Sequence, residues 1–399
     1  MSHILVVGTA DTKGDELAYL AQCIKDAGGR AQIVDLGIRT PTIPVDVAAG
    51  TVAALHPEGA NAVLGGNDRG VAVAAMALAF ERYLAGRDDV SGIVGIGGGG
   101  GTSMITRGMQ ALPLGLPKIM VSTLASGDVS GFVGVSDIIM MPSVTDLAGL
   151  NRLSRVILGN AAQAIAAMAT HPLPATTDDK PALGLTMFGV TTPCVTAIAK
   201  ELGNNFDCLV FHATGVGGRT VEKLADSGVI EGILDITTTE VCDLLFGGVL
   251  PATEDRFGAI ARTRMPCVMS VGALDMVNFW APSTMPAKYA GRKVYRHNDN
   301  VTLMRTTAEE NAIMGRWIGA KLNRCDGPLH LLLPEKGVSA LDIEGGEFWD
   351  PAADAALFAA LEETVRQTDH RRIARLPLHI NDPAFAHEAV RVFRSISAN

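Results

Sequence analysis

Zinc-ligand spacings, nucleophile elbows and membrane-length apolar runs are all missing from this 399-residue chain. Its six cysteines (Cys23, Cys194, Cys208, Cys242, Cys267 and Cys325) include no CxxC, and its nine histidines form no HExxH, which argues against a zinc site and a disulfide framework. No GxSxG is present, so the serine-hydrolase elbow is excluded. No apolar run reaches the roughly 18 residues that span a bilayer. The opening Met1-Ser2-His3-Ile4-Leu5-Val6-Val7 enters an apolar strand without a basic stretch, so neither a signal peptide nor a membrane anchor is expected. Reduced thiols point to the cytoplasm. Positive charge is also scarce: 33 Lys and Arg against 42 Asp and Glu leave a net charge of −9 with no basic cluster. Nucleic acid and anionic membrane are therefore disfavoured as partners.

What is present is glycine, concentrated in one turn. The apolar strand Ser91-Gly92-Ile93-Val94-Gly95-Ile96 runs into Gly97, Gly98, Gly99, Gly100 and Gly101, and a helix is expected to begin at Thr102-Ser103. Glycines permit positive φ and let amide N–H groups converge on an anion, to which a helix adds the positive end of its dipole. The alternative is a flexible surface loop. Gly95, Gly97 and Gly100 satisfy a dinucleotide fingerprint, but the next strand, Lys118–Val121, ends in Ser122-Thr123 without the acid that would hold a ribose. NAD is disfavoured on that ground. A P-loop would need Gly-Lys-Ser/Thr, and here Gly101-Thr102-Ser103 lacks the lysine, for which Lys13 is the best substitute.

The length suits two domains, and 48% apolar residues suffice to bury both. Strands and helices alternate from Ile4 onward, with strand-like runs at Gly131–Val135 and Asp137–Met141 and a long helix at about Thr145–Met168. The polar, proline-rich stretch from His171 to Pro181 breaks the pattern, placing an α/β domain at 1–175 and a second at 182–399. The second half restarts similarly. Ala182–Phe188 leads into Gly189-Val190-Thr191-Thr192-Pro193, and Cys208–His212 leads into Ala213-Thr214-Gly215-Val216-Gly217-Gly218, which looks like a counterpart of the five-glycine turn. The reading is two Rossmann-like open α/β sheets with ligand turns at the carboxyl ends of their strands and a cleft between the domains. The stretch Asp382–Ile396 has helical spacing and is expected to pack on the fold or on a partner subunit.

Several strings carry a family resemblance: Gly8-Thr9-Ala10-Asp11-Thr12-Lys13-Gly14, the five-glycine turn, Asp128-Val129-Ser130-Gly131, Asp235-Ile236-Thr237-Thr238-Thr239-Glu240, Ser270 to Phe279 and Pro334 to Asp342. They resemble the uncharacterised bacterial and fungal proteins related to the amino-terminal domain of the plant tobamovirus-resistance protein, a Tm-one-like ATP-binding family. The resemblance implies two Rossmann-like subdomains, magnesium-assisted ATP binding and a homodimer. It implies no known reaction.

Read from the residues, the first domain offers a nucleotide site. The glycines with Thr102 and Ser103 would hold phosphates, Thr9 and Thr12 add hydroxyls, Lys13 would neutralise phosphate oxygens, and Asp11 would hold Mg²⁺ or else cap the following helix. Thr123, Ser126 and Asp128 form a third loop, and Asn67-Asp68-Arg69 forms a fourth wall or a helix cap. The second domain holds more reaction-like groups. His212 ends a strand and is either an acid/base or structural, while Glu240 and Asp243, three apart, could face one cation or shuttle a proton, or be merely solvated. Thr214, Gly215, Gly217, Thr238, Asp275, Asn278, Glu335 and Lys336 are candidate substrate contacts. Cys194 at a helix start, without a base, is a weak nucleophile candidate. Three functions follow: an ATP-using enzyme acting on a small metabolite, a non-catalytic nucleotide-binding module, or an enzyme that holds a phosphorylated metabolite on the glycine turn.

Overall fold

The computed structural model describes residues 2–66, 68–172 and 180–397, and the chain divides into two compact units, 1–175 and 176–399. Of the stretch read as a domain boundary, 173–179 lie outside the described residues, as does Asn67. No helix among the described residues is long and apolar enough to cross a membrane.

The first unit is a five-stranded parallel sheet: β1 (His3–Gly8), β2 (Ala31–Asp35), β3 (Val90–Gly97), β4 (Lys118–Ser122) and β5 (Ile139–Pro142), in spatial order β2-β1-β3-β4-β5. The central strands β1, β3 and β4 read as largely apolar runs because both of their faces are covered. Along β1, Leu5 and Val7 face a core with Phe80 of the helix Arg69–Ala85 and Ile105 of the helix Gly99–Ala111. Ile4 and Val6 face Leu17 and Leu20 of Gly14–Asp26 and Leu158 and Ile165 of Arg152–Thr170. The result is three layers with helices on both sides of one sheet.

The second unit repeats the plan with six parallel strands: β6 (Ala182–Met187), β7 (Asp207–His212), β8 (Gly232–Thr237), β9 (Cys267–Gly272) and, after an inserted antiparallel sheet, β13 (Leu329–Pro334) and β14 (Arg371–Leu376). The insertion comprises β10 (Met276–Phe279), β11 (Val294–Asn298) and β12 (Val301–Arg305). The main sheet runs β14-β13-β9-β8-β6-β7. Counted from its own first strand that is 6-5-4-3-1-2, the order of the first unit with one strand added. The C-terminal helix Pro383–Ser397 covers one face, with Phe385 and Phe393 packed beside Ile198 of the helix Thr192–Leu202. It therefore packs on the fold, one of the two placements its spacing allowed.

The structure differs from the sequence reading in four places. Gly131–Val135 is not a strand: the helix Ser130–Val133 forms there, with Asp128 accepting the Ser130 amide at 2.9 Å and Gly134 turning the chain at φ 57°. The long helix begins at Arg152 rather than near Thr145, because Asn151 and Ser154 form a reciprocal capping box that fixes its start. The glycine run is not a loop ahead of a helix, since Gly99, Gly100 and Gly101 form that helix's first turn. Lastly, the counterpart of β3 in the second unit is β8, so the match to the five-glycine turn is Thr237-Thr238-Thr239 and not the turn after β7.

Candidate functional site

In both sheets the connections leave the first strand in one direction and the third strand in the other, so their carboxyl-end loops diverge and open a crevice. The first unit places the turns after β1 and β3 at that position. Gly97 is needed for packing: a β-carbon there would stand 2.9 Å from the Gly101 backbone. The other four glycines have no such reason. None has positive φ, and a β-carbon on Gly98, Gly99, Gly100 or Gly101 would find its nearest neighbour at 3.6–3.7 Å. Their lack of side chains bares backbone instead. The first bond of this helix runs from Thr102 N–H to the Gly98 carbonyl at 2.8 Å, which leaves the preceding amides at an end with no side-chain cap. Unpaired N–H groups and the positive dipole end make this turn receptive to an anion.

The residues around it sort differently from the sequence reading. Thr102 is fully buried, its hydroxyl 2.7 Å from Ser122 Oγ, so it ties the helix Gly99–Ala111 to β4 and does not reach the turn's surface. Ser103 points elsewhere, into a depression shared with Val73 and Ala77. Asp128 is spent on the Ser130 amide, which holds its carboxyl below the usual range, and Asp68 caps the helix Arg69–Ala85 through Gly70 and Val71. Thr123 adjoins the glycines: its amide donates to Gly97 O at 3.3 Å, and its Oγ1 is 3.7 Å from the position a Gly98 β-carbon would take. Thr123 and Ser126 line a depression of about 590 Å³ at the ends of β4 and β5.

After β1, Thr9 and Thr12 pair hydroxyl to hydroxyl at 2.6 Å, and the Lys13 ammonium donates to the Leu147 carbonyl. Asp11 does not cap the next helix, whose N-cap position is Lys13. Its Oδ1 is buried without a partner among the described residues, against Gly37 and beside Asp35. Asp35, a residue sequence reasoning passed over, fixes this turn: its Oδ1 accepts from Ala10 N at 2.8 Å and Gly37 N at 2.7 Å. Burial raises its pKa, and the Asp11 charge adds to that. An acid at the end of the second strand was the available signal. Mg²⁺ fits here only in part. Among the described residues no group of three or more His, Cys, Asp or Glu side chains is placed to hold a metal, whereas Asp11 has a carboxylate oxygen to give and Mg²⁺ commonly takes its remaining ligands from phosphates and water.

The corresponding position in the second unit is filled by its own side chains. Thr191 and Thr237 hydroxyls meet at 2.7 Å, Thr186 donates to Asp235 at 2.7 Å, and Thr238 is fully buried. Arg256 grips Asp235 with two bonds of 2.8 Å and Glu240 Oε1 at 2.6 Å, with Glu222 at 3.5 Å, all four side chains being buried. Glu240 Oε2 takes the Gly215 amide at 2.7 Å. The turn after β7 is thus already occupied by the chain's own carboxylate, and its glycines are required for fit: Gly215 has φ 77°, and β-carbons on Gly217 and Gly218 would collide with His212 O and Glu240 Oε1. Nothing in the sequence around Arg256 announced this role.

Glu240 and Asp243 do not face one cation. Asp243 accepts from the Asn278 and Leu250 amides, both at 2.8 Å, while Glu240 turns to Arg256, and burial pushes the Asp243 carboxyl to about 7. Asn278 and Asp275 are buried, Asp275 accepting from Ser339 Oγ at 2.7 Å beside the ion-paired Arg305, Asp342 and Asp354. They hold the fold and cannot meet a solvent-borne substrate. Burial likewise pushes the Cys194 thiol to about 12, which removes it as a nucleophile. Glu335 and Lys336 are exposed, and Glu335 pairs loosely with Arg375 at 3.6 Å. His212 is exposed at the end of the edge strand, its ring 5.1 Å from Phe188, and partial burial lowers its pKa so that the imidazole is neutral at pH 7. Thr214 beside it donates to the His212 carbonyl at 3.3 Å. A depression of about 910 Å³ in this unit lies at the opposite, amino ends of β6 and β7 among Lys180, Asp207 and Glu231. Doubly wound sheets bind at the carboxyl end, so it is not the site.

The molecule is thus a pair of doubly wound parallel α/β domains, the first with a bare helix start at its topological switch. It belongs to the uncharacterised protein family UPF0261, whose N-terminal and C-terminal domain models match residues 2–174 and 180–397. A UPF0261 protein of Rhizobium meliloti is 72% identical over the full length of both chains, and one of Clostridium tetani is 44% identical over 96% of each. The ToMV resistance protein Tm-1 of Solanum lycopersicum is 40% identical over 99% of this chain, which spans 56% of that protein.

Proposed function

We propose that the chain binds a phosphorylated ligand, ATP foremost, with the phosphates on the amides of Gly99, Gly100 and Gly101 and a Mg²⁺ ion shared between phosphate oxygens and Asp11. The observation that carries this is the contrast between the two units: at equivalent positions one turn is filled by Thr237 and its neighbours, and the other is glycine without a packing reason. Lys13 keeps two of its three ammonium donors for phosphate oxygens after its bond to Leu147. Calorimetric titration with ATP, with and without Mg²⁺, tests it. Binding that is lost in Gly99→Val, and that depends on Mg²⁺ in wild type but not in Asp11→Asn, supports the reading. No binding in wild type rejects it.

Glu240 and Asp243 are engaged in the second domain's own bonds, an observation that favours a nucleotide-binding module over an ATP-using enzyme. A catalytic role rests on His212, the neutral and accessible base there. Metabolite-dependent ATP hydrolysis that disappears in His212→Gln while ATP affinity persists would restore the enzyme reading.

A further inference from the structure

We propose that the depression at the carboxyl ends of β4 and β5 is a subsite for a neutral, polyhydroxylated group, the sugar of the phosphorylated ligand. This rests on the reading that the glycine turn carries that ligand's phosphates. Position is the first support: Thr123 belongs both to this depression and to the wall of the glycine turn, so a ligand anchored by phosphate at Gly98–Gly101 reaches it without crossing another element.

Lining chemistry is the second support. Ser122, Thr123, Ser126, Ser143 and Thr145 supply hydroxyls and Asp146 a carboxylate. Ser122 and Ser143 are spent internally, on Thr102 and on the Thr145 carbonyl, but the Thr123 and Ser126 hydroxyls have no partner among the described residues. One Asp146 oxygen accepts the Leu147 amide at 2.8 Å, and the other has no partner among the described residues. With no cationic side chain in the lining and one acid, the depression repels phosphate. With Pro142 and Val144 as its sole apolar walls and no aromatic ring, it offers little to a purine face. Hydroxyl donors facing a carboxylate and neutral hydroxyls are what remains, the pairing by which an acid recognises a ribose edge.

The test compares ATP, 2′,3′-dideoxy-ATP and inorganic tripolyphosphate on wild type and Asp146→Ala by calorimetry. Removing the sugar hydroxyls should weaken binding to wild type about tenfold, the scale of a hydrogen bond to a charged group. In Asp146→Ala, ATP and the dideoxy analogue should bind alike, with tripolyphosphate affinity unchanged. If the two nucleotides bind wild type alike, or if Asp146→Ala weakens tripolyphosphate as much as ATP, the subsite is overturned while the glycine turn stands. If wild type binds neither ATP nor tripolyphosphate, the phosphate reading fails and the subsite falls with it.

Discussion

Gly97 and Gly100 sit three residues apart in one run yet answer to different forces. At Gly97 a β-carbon would press on the Gly101 backbone at 2.9 Å, so Gly97→Ala is expected to destabilise the domain, read as a lower denaturant midpoint. At Gly100 the nearest atom would be Val73 Cγ2 at 3.7 Å. Its substitution should leave stability unchanged or raise it by up to about 1 kcal/mol, the helix penalty of glycine. Arg256 is the opposite kind of residue, a guanidinium buried among Asp235, Glu240 and Glu222. Arg256→Met removes the only cation from that group and should cost about 3–5 kcal/mol of unfolding free energy, checked by urea denaturation. The sequence made the first case legible and hid the second. Five adjacent glycines are a local signal, whereas the Arg256 network joins Arg256 to residues 16 to 34 positions away that nothing but the fold brings together.

Elements were legible where burial dictates the pattern. The strands β1, β3, β4 and β6 are apolar runs with helices on both faces, and the boundaries read from sequence lie within a few residues of those observed. The glycine run defeated the same reasoning, because low helix propensity argues for a loop and tertiary packing on β3 overrides it. The sheet β10-β12-β11 went unseen as a unit, since its outer strand is largely exposed and carries no buried stripe. The C-terminal helix was read correctly from its amphipathic spacing. Its Phe393 is 1% exposed and lies against Phe206 at a centroid distance of 5.9 Å. Phe393→Ala should therefore lower stability by about 3–5 kcal/mol. A loss below about 1 kcal/mol, measured by thermal or chemical unfolding, would mean the helix is peripheral to the core.

Across the whole molecule, burial raises several carboxyls toward neutral pH. Burial raises Glu222 and Asp243 to about 7 each, and Asp275 and Asp354 are raised by burial and by the neighbouring Asp342. Between the unfolded carboxylate range near 4 and these higher values the folded chain binds more protons than the unfolded one, so stability falls as pH rises through that window. Surface carboxylates such as Asp89 and Glu362, held low by Arg87 and Arg375, act in the opposite sense and lose their contribution only in stronger acid. The melting temperature is therefore expected to peak near pH 5 and to decline toward about pH 8. A flat profile there would show that these carboxyls are ionised in the native state. The repeated strand order of the two units was legible as an echo in the sequence. Which turns correspond was not, because glycine content drew the match to the turn after β7, where glycine serves to admit Glu240.

Whether the bare helix start after β3 binds phosphate is the central question, and one variant separates phosphate binding from every structural explanation. Gly100→Ala is compared with wild type for denaturant midpoint and for ATP affinity in Mg²⁺. The expected result is a fold at least as stable with ATP affinity reduced about tenfold or more, as the added methyl group intrudes where phosphate oxygens meet the amides. Unchanged affinity in a fully folded variant, or no ATP affinity in wild type, would contradict it.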